Sequence, residues 1–195
     1  MKPKSWRPGL GLGCALAIAM PAAQAIEFTQ LQLDKSALSF VSRQMNVPVE
    51  GQFRSFRSKL AYDPAKPAAA RAELEIDLAS IDAGSKDAND EVAGKAWFNT
   101  KAFPLAKFVS TSVKPLGSNR LEVAGKMSIK GKTLDLTTPV SVRQEGNAAI
   151  FEGSLVLKRA DYGIGDGIWA DFGTVANEVQ IKFRLVAIAT AAAAK

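Results

Sequence analysis

The sequence contains no histidine at all, and its one cysteine, Cys14, lies inside an apolar stretch near the N-terminus. Without histidine there is no Ser-His-Asp triad and no His-ligated zinc site. Lys2, Lys4 and Arg7 precede the small, apolar run Leu10 to Met20, Pro21 breaks it, and Ala23-Gln24-Ala25 follows. That succession is a secretory signal, with cleavage expected after Ala25 and a mature domain over residues 26–195. The run is too short for a permanent bilayer-spanning helix. Gly11-Leu12-Gly13 ahead of Cys14, with almost no apolar run upstream, argues against lipidation. Cleavage would remove Cys14, leaving a domain with no thiolate nucleophile and no disulfide, held together by its core and backbone pairing alone.

One-sided charge is also missing. Removing the signal leaves 22 basic against 19 acidic residues, a balance of +3, scattered along the chain. No basic stripe marks a nucleic-acid surface.

From Phe28 onward the dominant signal is alternation of apolar and polar residues. Ala72, Leu74, Ile76 and Leu78 interleave with Glu73, Glu75 and Asp77; Val179, Ile181, Phe183 and Leu185 interleave with Gln180, Lys182 and Arg184. Side chains alternate faces along a strand, so each such segment has one face to bury. The pattern predicts strands near 27–34, 36–43, 50–63, 68–79, 104–116, 119–130, 132–145, 147–160 and 176–188. Short turn sequences separate them, such as Gly117-Ser118-Asn119, Lys130-Gly131-Lys132 and Glu145-Gly146-Asn147. Phe53 and Phe56 break the alternation and suggest a bulge in the third strand, and Pro139 suggests an edge or irregular position. Long hairpin-linked strands with one apolar face fit an all-β, antiparallel up-and-down β-barrel of about eight strands. Residues 81–103 depart from this rhythm. Their polar half suits a short helix capped by Ser85 or Asp87, and their aromatic half a lid segment across a barrel mouth. The tail from Ala191 to Lys195 is expected to fray.

Several pieces, in order, resemble the YceI-like family: Leu38-Ser39-Phe40-Val41 running into Val49-Glu50-Gly51-Gln52-Phe53, Ile76 to Gly84, Trp97-Phe98-Asn99, Phe103 to Phe108, Val123 to Gly131, and Gly163-Ile164-Gly165 to Trp169. The resemblance spans nearly all of the expected mature chain. It implies a lipocalin-like barrel, usually periplasmic, with a long channel holding polyisoprenoid chains, isoprenoid quinones or related amphiphiles. It also implies, as partners, an isoprenoid-type lipid or quinone, a membrane b-type cytochrome, and a second copy in a homodimer. Many members carry a histidine where this chain reads Arg43-Gln44-Met45, so that residue's role does not carry over.

The apolar strand faces are the candidate site. Phe40, Phe53, Leu74, Ile76, Phe108, Met127, Ile129, Leu155, Ile181 and Phe183 are expected to line it, with Trp97, Phe98, Tyr162 and Trp169 at its lid or mouth. Small residues on these faces, Ser110, Ser112, Gly125, Thr138 and Gly153, read as gaps that leave space. A solidly packed, structural or stress-protective barrel is the alternative, as is an outer-membrane barrel with the same alternation turned inside out. Asp161, Asp166 and Asp171 admit a carboxylate pair or calcium loop, but a Gly/Asp turn region accounts for them better. Gly163-x-Gly165-x-Gly167 lacks the helix and third-glycine spacing of a phosphate loop. No cofactor, metal or catalytic residue is expected.

Overall fold

The computed structural model describes residues 26–191. The expected signal peptide, its cleavage point, Cys14 and residues 192–195 lie outside the described residues. Ala191, where fraying was expected to begin, still pairs with Ile26.

Alternation becomes strand throughout. β1 (Ile26–Leu31), β2 (Ala37–Gln44), β3 (Val47–Phe53), β4 (Phe56–Ala61), β5 (Arg71–Asp77), β6 (Ile81–Asp82), β7 (Leu105–Gly117), β8 (Arg120–Ile129), β9 (Lys132–Glu145), β10 (Ala148–Lys158) and β11 (Glu178–Ala191) form one antiparallel sheet. Its order is β4-β5-β7-β8-β9-β10-β11-β2-β3-β6, with β1 added beside β11. The sheet curls into a half-barrel, apolar faces inward.

The described residues form eleven strands where nine segments and a barrel of about eight strands were expected, because the third ribbon is broken rather than bulged and the two-residue β6 is added. β3 pairs with β2 and β6, whereas β4 pairs with β5. Ser80 holds the break at Arg54–Ser55: its hydroxyl accepts from the Ser55 amide at 3.0 Å and donates to Asp77 O at 2.6 Å, while its carbonyl accepts from the Arg54 amide at 3.2 Å. β3, beside the β6 margin of the sheet path, runs directly into β4 at its other margin, which makes the sheet turn back on itself. Pro139 lies just past Val140–Gly153, where the pairing of β9 with β10 ends. A residue without an N–H costs least there.

One end is closed. Phe28 of β1 and Tyr62 exchange backbone hydrogen bonds of 2.9 and 3.2 Å, and Tyr62 meets Phe151 edge-on at 5.2 Å. The other end carries the helix α1 (Lys86–Ala93), capped as expected by Ser85, whose hydroxyl accepts from the Ala88 amide.

Outward faces carry charge in cross-strand pairs. Arg57 Nε lies 2.5 Å from Glu75 Oε2, Lys107 Nζ 3.3 Å from Glu75 Oε1, and Arg54 Nη2 2.6 Å from Asp82. Hydrogen bonds from Arg57 and then Lys107 hold the Glu75 carboxyl below its ordinary value, and Arg54 followed by the Gly84 amide does the same for Asp82. A carboxyl more acidic in the folded state stabilises the fold above its unfolded pKa, and that contribution is lost as pH falls through the folded value. The urea midpoint should therefore drop as pH is lowered through and below the ordinary carboxylate range. The Glu75→Gln, Asp82→Asn double variant should show a shallower drop, and an unchanged pH profile would contradict the assignment.

Candidate functional site

Between the two ends lies a cavity of about 590 Å³, walled almost entirely by apolar side chains. Two buried clusters form its walls. Phe28, Tyr62, Val140 and Phe151 belong to the closed end, and Leu38, Ile76, Leu78, Met127 and Tyr162 to the lid end. The sheet brings all ten expected wall residues to this cavity: Phe40, Phe53, Leu74, Ile76, Phe108, Met127, Ile129, Leu155, Ile181 and Phe183. Trp97, Phe98, Tyr162 and Trp169 border it as well.

The small residues divide: Thr138 borders the cavity, whereas Ser112 is exposed. Gly125 and Gly153 are not gaps, because each is covered by a phenylalanine ring from the neighbouring strand. A Cβ at residue 125 would stand 2.5 Å from the Phe108 ring and from Val109 O. At residue 153 it would strike the Phe183 ring and come within 2.7 Å of Pro139 O. Gly51, which sequence reasoning passed over as a wall residue, stands in the same relation to Phe40 across β2–β3. Three rings therefore lie back against bare backbone. The glycines create space by accepting a ring against the wall. Ser110 is committed too, its hydroxyl accepting from the Ala72 amide at 2.9 Å.

Arg159 is the residue sequence reasoning missed. It is 3% exposed and has no carboxylate in contact. Its Nη1 donates to Ile164 O at 2.8 Å and Gly165 O at 3.0 Å, Nη2 to Trp169 O and Val175 O at 2.7 Å each, and Nε to Ala176 O at 3.1 Å. A guanidinium has five N–H groups, and all five are used. Its carbon lies 5.6 Å from the Trp97 ring centre and 5.4 Å from that of Phe172, a cation–π arrangement. Burial lowers its pKa, with Asp166 opposing, yet an arginine stays charged under any ordinary condition. A signal was present: Arg159 continues the inward parity of Leu155 and Leu157. Gly165 is obligatory beside it, with φ of +78° and an absent Cβ that would fall 2.9 Å from the guanidinium carbon.

The loop that Arg159 organises is sewn to the helical segment. Gly165 and Asp166 amides donate to Ala96 O at 2.8 and 2.9 Å, Lys130 reaches Gly163 O and lies 3.4 Å from Asp166, and Trp169 Nε1 donates to Glu91 at 2.7 Å. Asp171 accepts from the Gly173 and Thr174 amides and the Thr174 hydroxyl, which hold its carboxyl below the ordinary value. So the Asp171 carboxylate is occupied in its own turn, and the Asp166 carboxylate pairs with Lys130. Among the described residues no group of three His, Cys, Asp or Glu side chains is placed to hold a metal.

A family model for the YceI-like domain matches residues 30–187. The chain belongs to the YceI-like family. Curated relatives include proteins designated "UPF0312 protein". One from Azotobacter vinelandii is 29% identical over 137 residues, 67% of this chain and 69% of its own length. Another, from Shewanella sp. (strain W3-18-1), is 25% identical over 177 residues, 87% of this chain and 91% of its own. Among solved structures, Burkholderia cenocepacia BcnA is 49% identical, with a TM-score of 0.79 over 80% of this chain and 99% of that one. A polyisoprenoid binding domain from Saccharophagus degradans, implicated in plant cell wall breakdown, shares the fold with a TM-score of 0.64 at 20% identity. It covers 86% of this chain and all of its own.

Two outcomes follow from this YceI interior. Gly153→Ala should destabilise the fold by about 1–3 kcal/mol through overpacking against Phe183 and the Pro139 carbonyl, read by chemical denaturation. Arg159→Met leaves several buried carbonyls without a donor, so it should cost about 3 kcal/mol and accelerate amide exchange across residues 163–176. Wild-type exchange in that loop would show that the arginine does not organise it.

Proposed function

We propose that this protein is a non-enzymatic carrier of an isoprenoid-type amphiphile, a polyisoprenoid or isoprenoid quinone, working in the periplasm after removal of residues 1–25. The observation that carries the reading is the apolar cavity of about 590 Å³ running through a YceI-like half-barrel. That volume lies within the range of ligand pockets, roughly 300–1,000 Å³. The polyisoprenoid binding domain of Saccharophagus degradans, which has the same fold, supports this class of ligand. A prenyl tail that removes roughly 400 Å² of apolar surface from water gains on the order of 10 kcal/mol before association costs.

The polarity of the sheet favours this reading over an outer-membrane barrel, whose apolar face would point outward. Here the outward face carries the Arg57–Glu75–Lys107 pairs. The hollow interior likewise disfavours a solidly packed structural barrel. Catalysis has little support, because the carboxylates of the 161–171 segment that the alternative relied on include two occupied in turns and an ion pair. A membrane b-type cytochrome or a second copy of the chain would be partners of such a carrier.

The test is to express the whole chain with its leader, recover the exported protein, and analyse both its mass and its organic-solvent extract. A protein beginning at Ile26 that co-purifies with, or takes up, prenyl lipid is the expected result. A protein that is always empty and fails to take up prenyl lipids would end the carrier reading. An unprocessed chain would end the periplasmic one.

A further inference from the structure

The rings of Phe40, Phe108 and Phe183 lie back against the wall, but two aromatic rings in this interior do the opposite. Tyr62 follows β4 and Phe151 belongs to β10, strands that are not hydrogen-bonded neighbours in the sheet. Their rings meet edge-on with centres 5.2 Å apart, so the contact spans the interior. Both border the cavity, as do Val113, Leu121 and Val140 of the same buried cluster. Phe28, Ala149 and Ala187 of that cluster are at most 1% exposed and lie outside the cavity lining. One layer of side chains therefore meets the cavity, and a sealed layer stands behind it. The Phe28 ring, centred 6.2 Å from that of Tyr62, backs the pair, and the two backbone hydrogen bonds between these residues fix it there. Burial and then Asp63 raise the Tyr62 phenol, so no charge stands at this end of the lining from that ring. Arg71 also borders this end, but it is exposed and shares the outward parity of Glu73 and Glu75. The Thr138 hydroxyl donates to Pro139 O at 3.3 Å.

From this we infer that the Tyr62–Phe151 pair is a floor that sets how long an apolar chain the cavity takes up in full. The inference rests on the carrier reading and adds to it the residues that select ligand length. Each methylene that leaves water on entering the cavity tightens binding about fourfold. That gain continues until the chain reaches the two rings. Carbons beyond that length stay outside the walls and add little. The rings suit this role because they are held from both sides: by each other across the interior, and by the sealed layer around Phe28 behind them. A chain cannot displace them without disrupting the closed end.

The experiment uses the mature exported protein, stripped of lipid, and unbranched primary alcohols from octanol to octadecanol. Each alcohol is titrated against a displaceable fluorescent fatty probe. In wild type, affinity should climb about fourfold per methylene and then level off at one chain length. Phe151→Ala removes half of the pair and should move that break to a longer alcohol, with octadecanol gaining about tenfold in affinity. Val113→Phe adds a ring to the floor without opening a void and should move the break to a shorter alcohol. It carries the test if Phe151→Ala does not fold. Tyr62→Phe keeps the ring and should keep the break. Leu157→Ala, a truncation of a lining residue beside the lid-end cluster, should leave the break in place. A break that stays put in either floor variant that folds, or that moves as far in Leu157→Ala, would overturn the floor while leaving carriage standing. Affinity that climbs through the whole series in wild type would do the same. Failure of wild type to bind any of the alcohols would remove the carrier reading, and the floor with it.

Discussion

Phenylalanine rings lying on glycine are the contact on which this interior depends. A curled sheet must turn apolar side chains inward, and aromatic rings pointing at its axis would meet and fill it. Phe40, Phe108 and Phe183 instead fold back over Gly51, Gly125 and Gly153. Each ring covers backbone that a strand glycine would leave bare, which offsets the glycine's own entropic penalty. The apolar area is buried against the wall and the centre stays open. Ring and glycine sit on neighbouring strands in all three cases, so the hollow also depends on register. Phe183 stands directly opposite Gly153, and Phe40 directly opposite Gly51. A slip of one residue would turn each ring to solvent.

The lid obeys a different constraint. The 159–177 segment has little regular structure to satisfy its own backbone, and its carbonyls converge on the guanidinium of Arg159. A buried charge without a carboxylate partner is costly unless its hydrogen bonds are complete. Five carbonyl dipoles and two aromatic faces provide that completion here. Removing the charge would orphan the loop, and loosening the loop would strand the charge. One arginine thus links the end of β10, the turn at Gly165, Trp169 and the chain entering β11.

Much of this was legible in the sequence, for identifiable reasons. Period-two alternation located every long strand, because one face had to be buried, and Ser85, one of two cap candidates with Asp87, proved to start α1 because a helix needs an acceptor for its first amides. The break at Arg54–Ser55 was not legible, since it follows from Ser80, a partner 25 residues away. Neither were the glycine pairings, because alternation gives the face of a residue and not what lies across from it. Composition suggested that small residues meant empty space, whereas tertiary contact gave them rings to carry. Arg159 was overlooked because a charged residue at an inward position reads as the end of a strand. Its parity with Leu155 and Leu157 was the clue.

The size of the hollow bears on what it holds. Apolar cavities left by core truncations cost about 24 cal/mol per Å³, so an empty space of about 590 Å³ would cost roughly 14 kcal/mol. That equals the whole net stability of a typical domain, about 5–15 kcal/mol. A dry void of that size would therefore offset much of the fold's net stability. Water is a poor filling, because a buried water needs two to four polar partners and most of these walls provide none. A flexible apolar chain loses its own hydration on entering, regains dispersion contacts with the walls, and asks for hydrogen bonds only at its polar end. Of the three fillings, it is the one for which the chemistry of the walls and the energetics of the void agree.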